Sequence, residues 1–165
     1  MKKEIDQIGL MLCDMQGRIF EESLLKEGCS SSIFIRRFMN SRFVTRMDKL
    51  TFINESTTID EIFKELDDEY GKSNYGKIKF SNEEMYWMGY IYRYLSYVFQ
   101  IDSKNAYKII KGTELRQLFY AYHSLDPMNA IERILEAKSL VLDKDSDQLT
   151  KEGVSILRRI RQSSK

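Results

Sequence analysis

The chain has 165 residues, 42% hydrophobic and 31% charged, which suits a single domain able to bury its own core without disulfides or metals. Its 26 basic and 25 acidic side chains leave a formal charge of +1, so no global field draws it to nucleic acid or anionic lipid. The opening MKKEIDQIG lacks the apolar core of a secretory signal. With only Cys13 and Cys29, the chain is expected to be cytoplasmic and free of structural disulfides.

Apolar residues at helical spacing run through most of the chain. Ile5, Ile8, Leu12, Met15 and Ile19 mark a first helix from about Lys3 to Lys26, with Gly28 as its stop. Ser31 or Ser32 can cap a second, on which Phe34, Ile35, Phe38, Met39 and Phe43 form the buried side and Arg36, Arg37, Arg42 and Arg46 the other. An irregular or extended piece around TFINES follows. Thr58 and Glu61 then have capping-box spacing and open a third helix that ends near Gly71. KSNYGKIKF, residues 72 to 80, reads as a surface loop with room for a small hairpin. Ser81 and Glu84 repeat the capping-box spacing before a long aromatic helix from about Asn82 to Ile101. Asp102 or Ser103 caps a short helix through AYKIIK, Thr113 another through ELRQLFYAYHS, and Asp126 before Pro127 opens a seventh.

From Ser139 the pattern changes. SLVLDKDSDQLT reads as two short apolar runs around an acidic turn, a β-hairpin, before KEGVSILRRIRQSSK resumes helical spacing. The expected fold is mainly α: a helical core over residues 1–138 built around the central aromatic helix, with a small C-terminal hairpin and terminal helix over 139–165 packed on the same domain. The order over 126–161, with LTKEG after the second strand, resembles the recognition helix and wing of a winged-helix module. That resemblance implies a DNA-contacting set of Asn129, Arg133, Lys138 and Lys144. Glu132 and Glu136 would face phosphates from the same helix and oppose binding.

The aromatic stretch MYWMGYIYRYLSYVFQ is too short and too polar to span a bilayer, interrupted as it is by Arg93 and five tyrosines, so no membrane association is expected. At about 100° per residue, Trp87, Ile91, Tyr94 and Val98 share one face and Met88, Tyr92, Leu95 and Phe99 its neighbour, together a broad core face. Met85, Gly89 and Ser96 form a ridge of smaller residues where another helix can approach. The remaining row, Tyr86, Tyr90, Arg93 and Tyr97, has the composition of an interface hot spot and is a candidate partner-binding surface, as is the arginine face of the second helix.

Candidates for catalysis are few. His123 is the single histidine and stands at a helix end beside Asp126, without a nucleophile elbow. Cys13 reads as core. Cys29, at a helix start, is a candidate for a lowered thiol pKa but lacks a second histidine to serve it. No zinc spacing is present; Asp143, Asp145 and Asp147 alternate as in a calcium loop, but Gln148 stands where that loop needs glycine. No phosphate loop or dinucleotide fingerprint occurs, so no enzyme, metal or cofactor is expected.

Four phrases, LCDMQGRIFE at 12–21, FIRRFMNS at 34–41, MYWMGYIYRY at 85–94 and HSLDPMNAIERI at 123–134, are similar to a family of small bacterial proteins without an established activity. Its members are encoded beside toxin-antitoxin-like gene pairs, some with an ADP-ribosyltransferase-like partner. The resemblance covers about residues 5–135 and implies an antitoxin-type protein that binds a partner protein. The alternative expectation is a winged-helix transcriptional regulator.

Overall fold

Side-chain caps set most of the helix starts over residues 2–144, the part of the chain described by a computed structural model. The Asp6 carboxylate accepts from Gly9 N–H at 2.8 Å and starts α1, Gln7–Lys26; the helix stops at Glu27, one residue before the predicted glycine. Ser30 caps α2, Ser31–Met39, and Ser41 caps α3, Arg42–Met47. A 3-10 turn, Leu50–Asn54, occupies the piece expected to be irregular or extended. Both predicted capping boxes form: Thr58 with Glu61 opens α4, Ile59–Tyr70, and Ser81 with Glu84 opens α5, Asn82–Phe99. Gly71 closes α4 at φ 76°, a left-handed value that glycine reaches without steric cost. Asp102 caps α6, Ser103–Ile109; then come α7, Gly112–Gln117, α8, Phe119–Tyr122, and α9, Pro127–Lys144, where Asp126 accepts from Met128 N–H.

Three expectations about these elements are corrected. The second helix breaks at Asn40–Ser41, because Ser41 returns its hydroxyl to the carbonyl of Phe38 at 2.7 Å and accepts from Val44 N–H at 3.1 Å. The helix expected to be capped by Thr113 and to run through ELRQLFYAYHS instead starts at Gly112 after Lys111, and is divided at Leu118 into α7 and α8. The first arm of the predicted C-terminal hairpin is helical, since α9 continues through Lys144 and crosses the boundary drawn at 138/139; the second arm and the terminal helix lie outside the described residues. Among the described residues there is no strand. Residues 72–80 are a loop without a hairpin, and the carbonyls of Tyr75 and Ile78 accept from Ser30 and Ser31 N–H at the start of α2.

The core confirms the angular reading of α5. Trp87, Ile91, Tyr94, Val98, Met88, Tyr92, Leu95 and Phe99 are all buried, and α5 contacts α1, α6, α7, α8 and α9. Its broadest contact is with α1, which runs antiparallel: Tyr97 lies at Gly9, Gly89 at Gln16 and Tyr86 at Gly17. Beside this pair, Phe20, Phe34, Phe38, Phe43 and Phe52 link α1, α2, α3 and the 3-10 turn through ring contacts of 5.2–5.9 Å. Each such fully buried side chain contributes roughly 1.5–3 kcal/mol by burial. No helix among the described residues is long and apolar enough to cross a membrane.

At the end of α1 the Glu27 carboxyl is pushed up to about 7, first by burial and then by the charge and hydrogen bond of Asp67. Its ordinary value is 4.5, so between those two pH values the folded protein holds a proton that the unfolded chain has released. Stability therefore falls as pH rises across that window. Glu27→Gln is expected to flatten this part of the pH–stability curve in denaturant titrations; an unchanged slope would remove Glu27 as its cause.

Candidate functional site

The row Tyr86, Tyr90, Arg93 and Tyr97 does not form one exposed strip. It turns toward α1, where Gly9 and Gly17 leave room for the rings of Tyr97 and Tyr86. Tyr86 donates to Asp14 at 2.5 Å; Tyr97 donates to Asp6 at 2.7 Å and accepts from Lys3 at 2.9 Å. Arg93 is 2% exposed, and all three of its guanidinium nitrogens are engaged. Nε donates to Gln16 Oε1 at 2.9 Å, Nη1 to Asp48 Oδ1 at 2.7 Å and Nη2 to Ser103 Oγ at 3.1 Å. Asp48 also accepts from Ser103 N–H and Oγ, and Gln16 Nε2 donates to the carbonyl of Gly89. This network ties α1, the end of α3, α5 and the start of α6 together. The arginine is thus a structural strut and presents nothing to a partner.

The arginine face of the second helix is divided, because the break at Ser41 places its members on two helices beside acidic α4: Arg37 and Arg46 are half-buried, whereas Arg42, like Arg36, is exposed. Arg46 pairs with Glu65 and Glu55, Arg42 approaches Glu69 at 3.8 Å, and Arg37 donates to the carbonyl of Gly71 while lying over the Tyr70 ring. In the set read for DNA, Asn129 and Arg133 are exposed on α9, Lys138 pairs with Glu114, and the Lys144 side chain lies outside the described structure.

The thiols are buried and free. Burial pushes Cys13 up to about 12, and burial together with the neighbouring Glu27 charge also raises Cys29, the reverse of the lowering predicted from its place near a helix start. Helix proximity is outweighed by desolvation there. Among the described residues no three histidine, cysteine, aspartate or glutamate side chains stand together as a metal site; Asp143, Asp145 and Asp147 fall outside the described side chains.

What the row does reach is a groove at its N-terminal end. The α5 residues Tyr86, Trp87 and Tyr90 form one wall, with Asn82 and Glu83 at its lip; α1 supplies Glu21, and the α8 end supplies Phe119 and His123. The cavity is about 600 Å³ and open to solvent, within the usual range for ligand sites. Its rings are ordered by contact: Tyr86 lies 6.1 Å from Tyr90, Trp87 packs edge-on to Phe119 at 5.7 Å, and His123 stacks on Phe119 at 4.4 Å. The Phe119 carbonyl, 2.8 Å from His123 Nδ1, can only accept, so the histidine proton is on Nδ1. Tyr120 is 82% exposed and extends the aromatic wall outward. Burial raises the hydroxyls of both Tyr86 and Tyr90, and the Asp14 carboxylate reinforces the rise, so both remain neutral donors around neutral pH.

Tyr86 and Tyr90 were accessible to angular reasoning, and His123 as the single histidine. Glu21, Trp87 and Phe119 were not, because the groove exists only where three distant segments meet. Comparison with protein-family models, curated proteins and solved structures found no match to this chain.

Proposed function

We propose that the chain is a non-enzymatic, antitoxin-type binding protein of the cytoplasm that holds a partner protein from a toxin-antitoxin-like pair through the groove between α1, α5 and α8. The observation that carries the reading is the groove's composition. Tyrosine and tryptophan rings stand at an open cleft beside a largely exposed Tyr120, which is the make-up of interface hot spots. The four phrases that resemble the antitoxin-associated family support the choice of partner, and MYWMGYIYRY contributes three of the groove's rings. Two free, buried thiols suit a reducing compartment.

Co-expression with the product of the neighbouring gene, followed by capture on a tag carried by this chain, is expected to recover a complex. Tyr90→Ala and, at the largely exposed position, Tyr120→Ala are each expected to weaken it by about 2 kcal/mol, roughly thirtyfold in affinity, with helix content unchanged by circular dichroism. A complex indifferent to both substitutions, or no complex at all, would overturn the reading.

A further inference from the structure

The charged residues lining the groove are all of one sign. Glu21 stands on the α1 side and Glu83 on the α5 side, and no lysine or arginine lines the cavity. Arg18, whose charge acts on the Tyr86 hydroxyl, is held by Asp14 at 3.0 Å on its own helix. Beyond the lining, the Asp14 and Asp126 charges both act on the Tyr90 hydroxyl. The rings of Tyr86 and Tyr90, 6.1 Å apart, line the same groove, and the negative quadrupole of an aromatic ring attracts a cation. Ring faces and carboxylates together favour a planar cation, which can stack on a ring and present its edge to an acid, over a compact ammonium. A phosphate-bearing ligand meets repulsion here.

We propose that the groove receives an arginine side chain from the partner, its guanidinium over the Tyr86–Tyr90 wall and within reach of Glu21 and Glu83. The proposal rests on the partner-binding reading of the groove and adds the chemistry of what enters it.

Trp87, the chain's one tryptophan, lines the groove and reports occupancy by its fluorescence. The full-length protein is titrated with a short acetylated Gly-Arg-Gly-Arg-Gly amide, with the same peptide carrying citrulline in place of arginine, and with tetramethylammonium chloride. Saturable quenching by the arginine peptide is expected, with the citrulline peptide at least about tenfold weaker and the arginine affinity declining with added salt. Glu21→Gln with Glu83→Gln is expected to cost about tenfold, whereas Glu22→Gln, outside the groove, leaves the affinity unchanged. Glu83 is exposed and Glu21 half-buried, and circular dichroism checks that the double variant folds. Equal response to arginine and citrulline, or a double variant that binds as well as the parent, overturns the proposal, as does tetramethylammonium binding more tightly than the arginine peptide. The two readings fail separately. A partner complex lost on Tyr120→Ala but indifferent to the glutamine pair leaves partner binding standing and removes the arginine; arginine-peptide binding without any complex with the neighbouring gene product removes the proposed partner and leaves the site's chemistry intact.

Discussion

Arg93→Met is expected to lower the unfolding free energy by about 3–5 kcal/mol, the usual cost of deleting one member of a buried ion pair. Methionine keeps the helix propensity and much of the volume, so the loss isolates the guanidinium. Three acceptors lose their donor at once: Gln16 Oε1, Asp48 Oδ1 and Ser103 Oγ. Asp48 keeps its bonds from Ser103, but its side chain, 15% exposed, is then a nearly buried carboxylate without a countercharge. Arg93→Lys should fall between, because one ammonium cannot reproduce the three-way fork. Arg93→Glu should be worse than methionine, placing a second carboxylate against the first. Chemical denaturation with an unchanged slope measures the effect, and the Arg93→Met/Asp48→Asn double-mutant cycle should return a coupling of about 1–3 kcal/mol. A loss below about 1 kcal/mol for Arg93→Met would show that water replaces the network at little cost. Any loss of partner binding in these variants would report on the fold, which is why Tyr90 and Tyr120, and not Arg93, are the residues that interrogate the groove.

The difference between what could and could not be read from the chain is one of range. Capping boxes act over three residues, so Thr58 with Glu61 and Ser81 with Glu84 placed two helix starts correctly. The core face of α5 followed from angle alone. The break at Asn40–Ser41 was hidden because the apolar phase is preserved across it: Phe38, Met39, Phe43, Val44 and Met47 are all buried on either side. The cue was the Asn-Ser pair, whose side chains compete for backbone hydrogen bonds. SLVL is an apolar run of the kind that suits a strand or the continuation of an amphipathic helix equally, and in the described residues α9 simply carries on. Arg93 was misjudged for a different reason. Its composition among tyrosines is that of an interface, and only the meeting with Gln16, Asp48 and Ser103, up to 77 positions away in sequence, turns it inward. Sequence spacing on α1 held a partial signal: Gly9, Cys13 and Gly17, four apart, make a small-residue stripe that a row of large side chains can cover.

Gly89→Ala tests that close approach, and it sets two effects of opposite sign against each other. Alanine in the middle of a helix gains about 1 kcal/mol over glycine in propensity. Against this, a Cβ at position 89 would stand 2.6 Å from the Gln16 carbonyl oxygen and 2.8 Å from Phe20 Cγ. The oxygen is backbone in the middle of α1 and cannot rotate away. Accommodation means moving α1 off α5, which stretches the 3.0 Å bond from Gln16 Nε2 to the Gly89 carbonyl and with it the Gln16 end of the Arg93 network. Overpacking of a tight interior costs about 1–3 kcal/mol and sometimes more, and here it adds to a weakened polar network. The steric term therefore wins, and Gly89→Ala should destabilise by about 2–3 kcal/mol despite its better helix propensity, with Gly89→Val worse still. Thermal and denaturant unfolding give the sign directly. A stabilised Gly89→Ala variant would mean that the two helices can separate by several tenths of an ångström without loss, and the seam between α1 and α5 would then not be what aligns Gln16, Arg93 and the tyrosine wall of the groove.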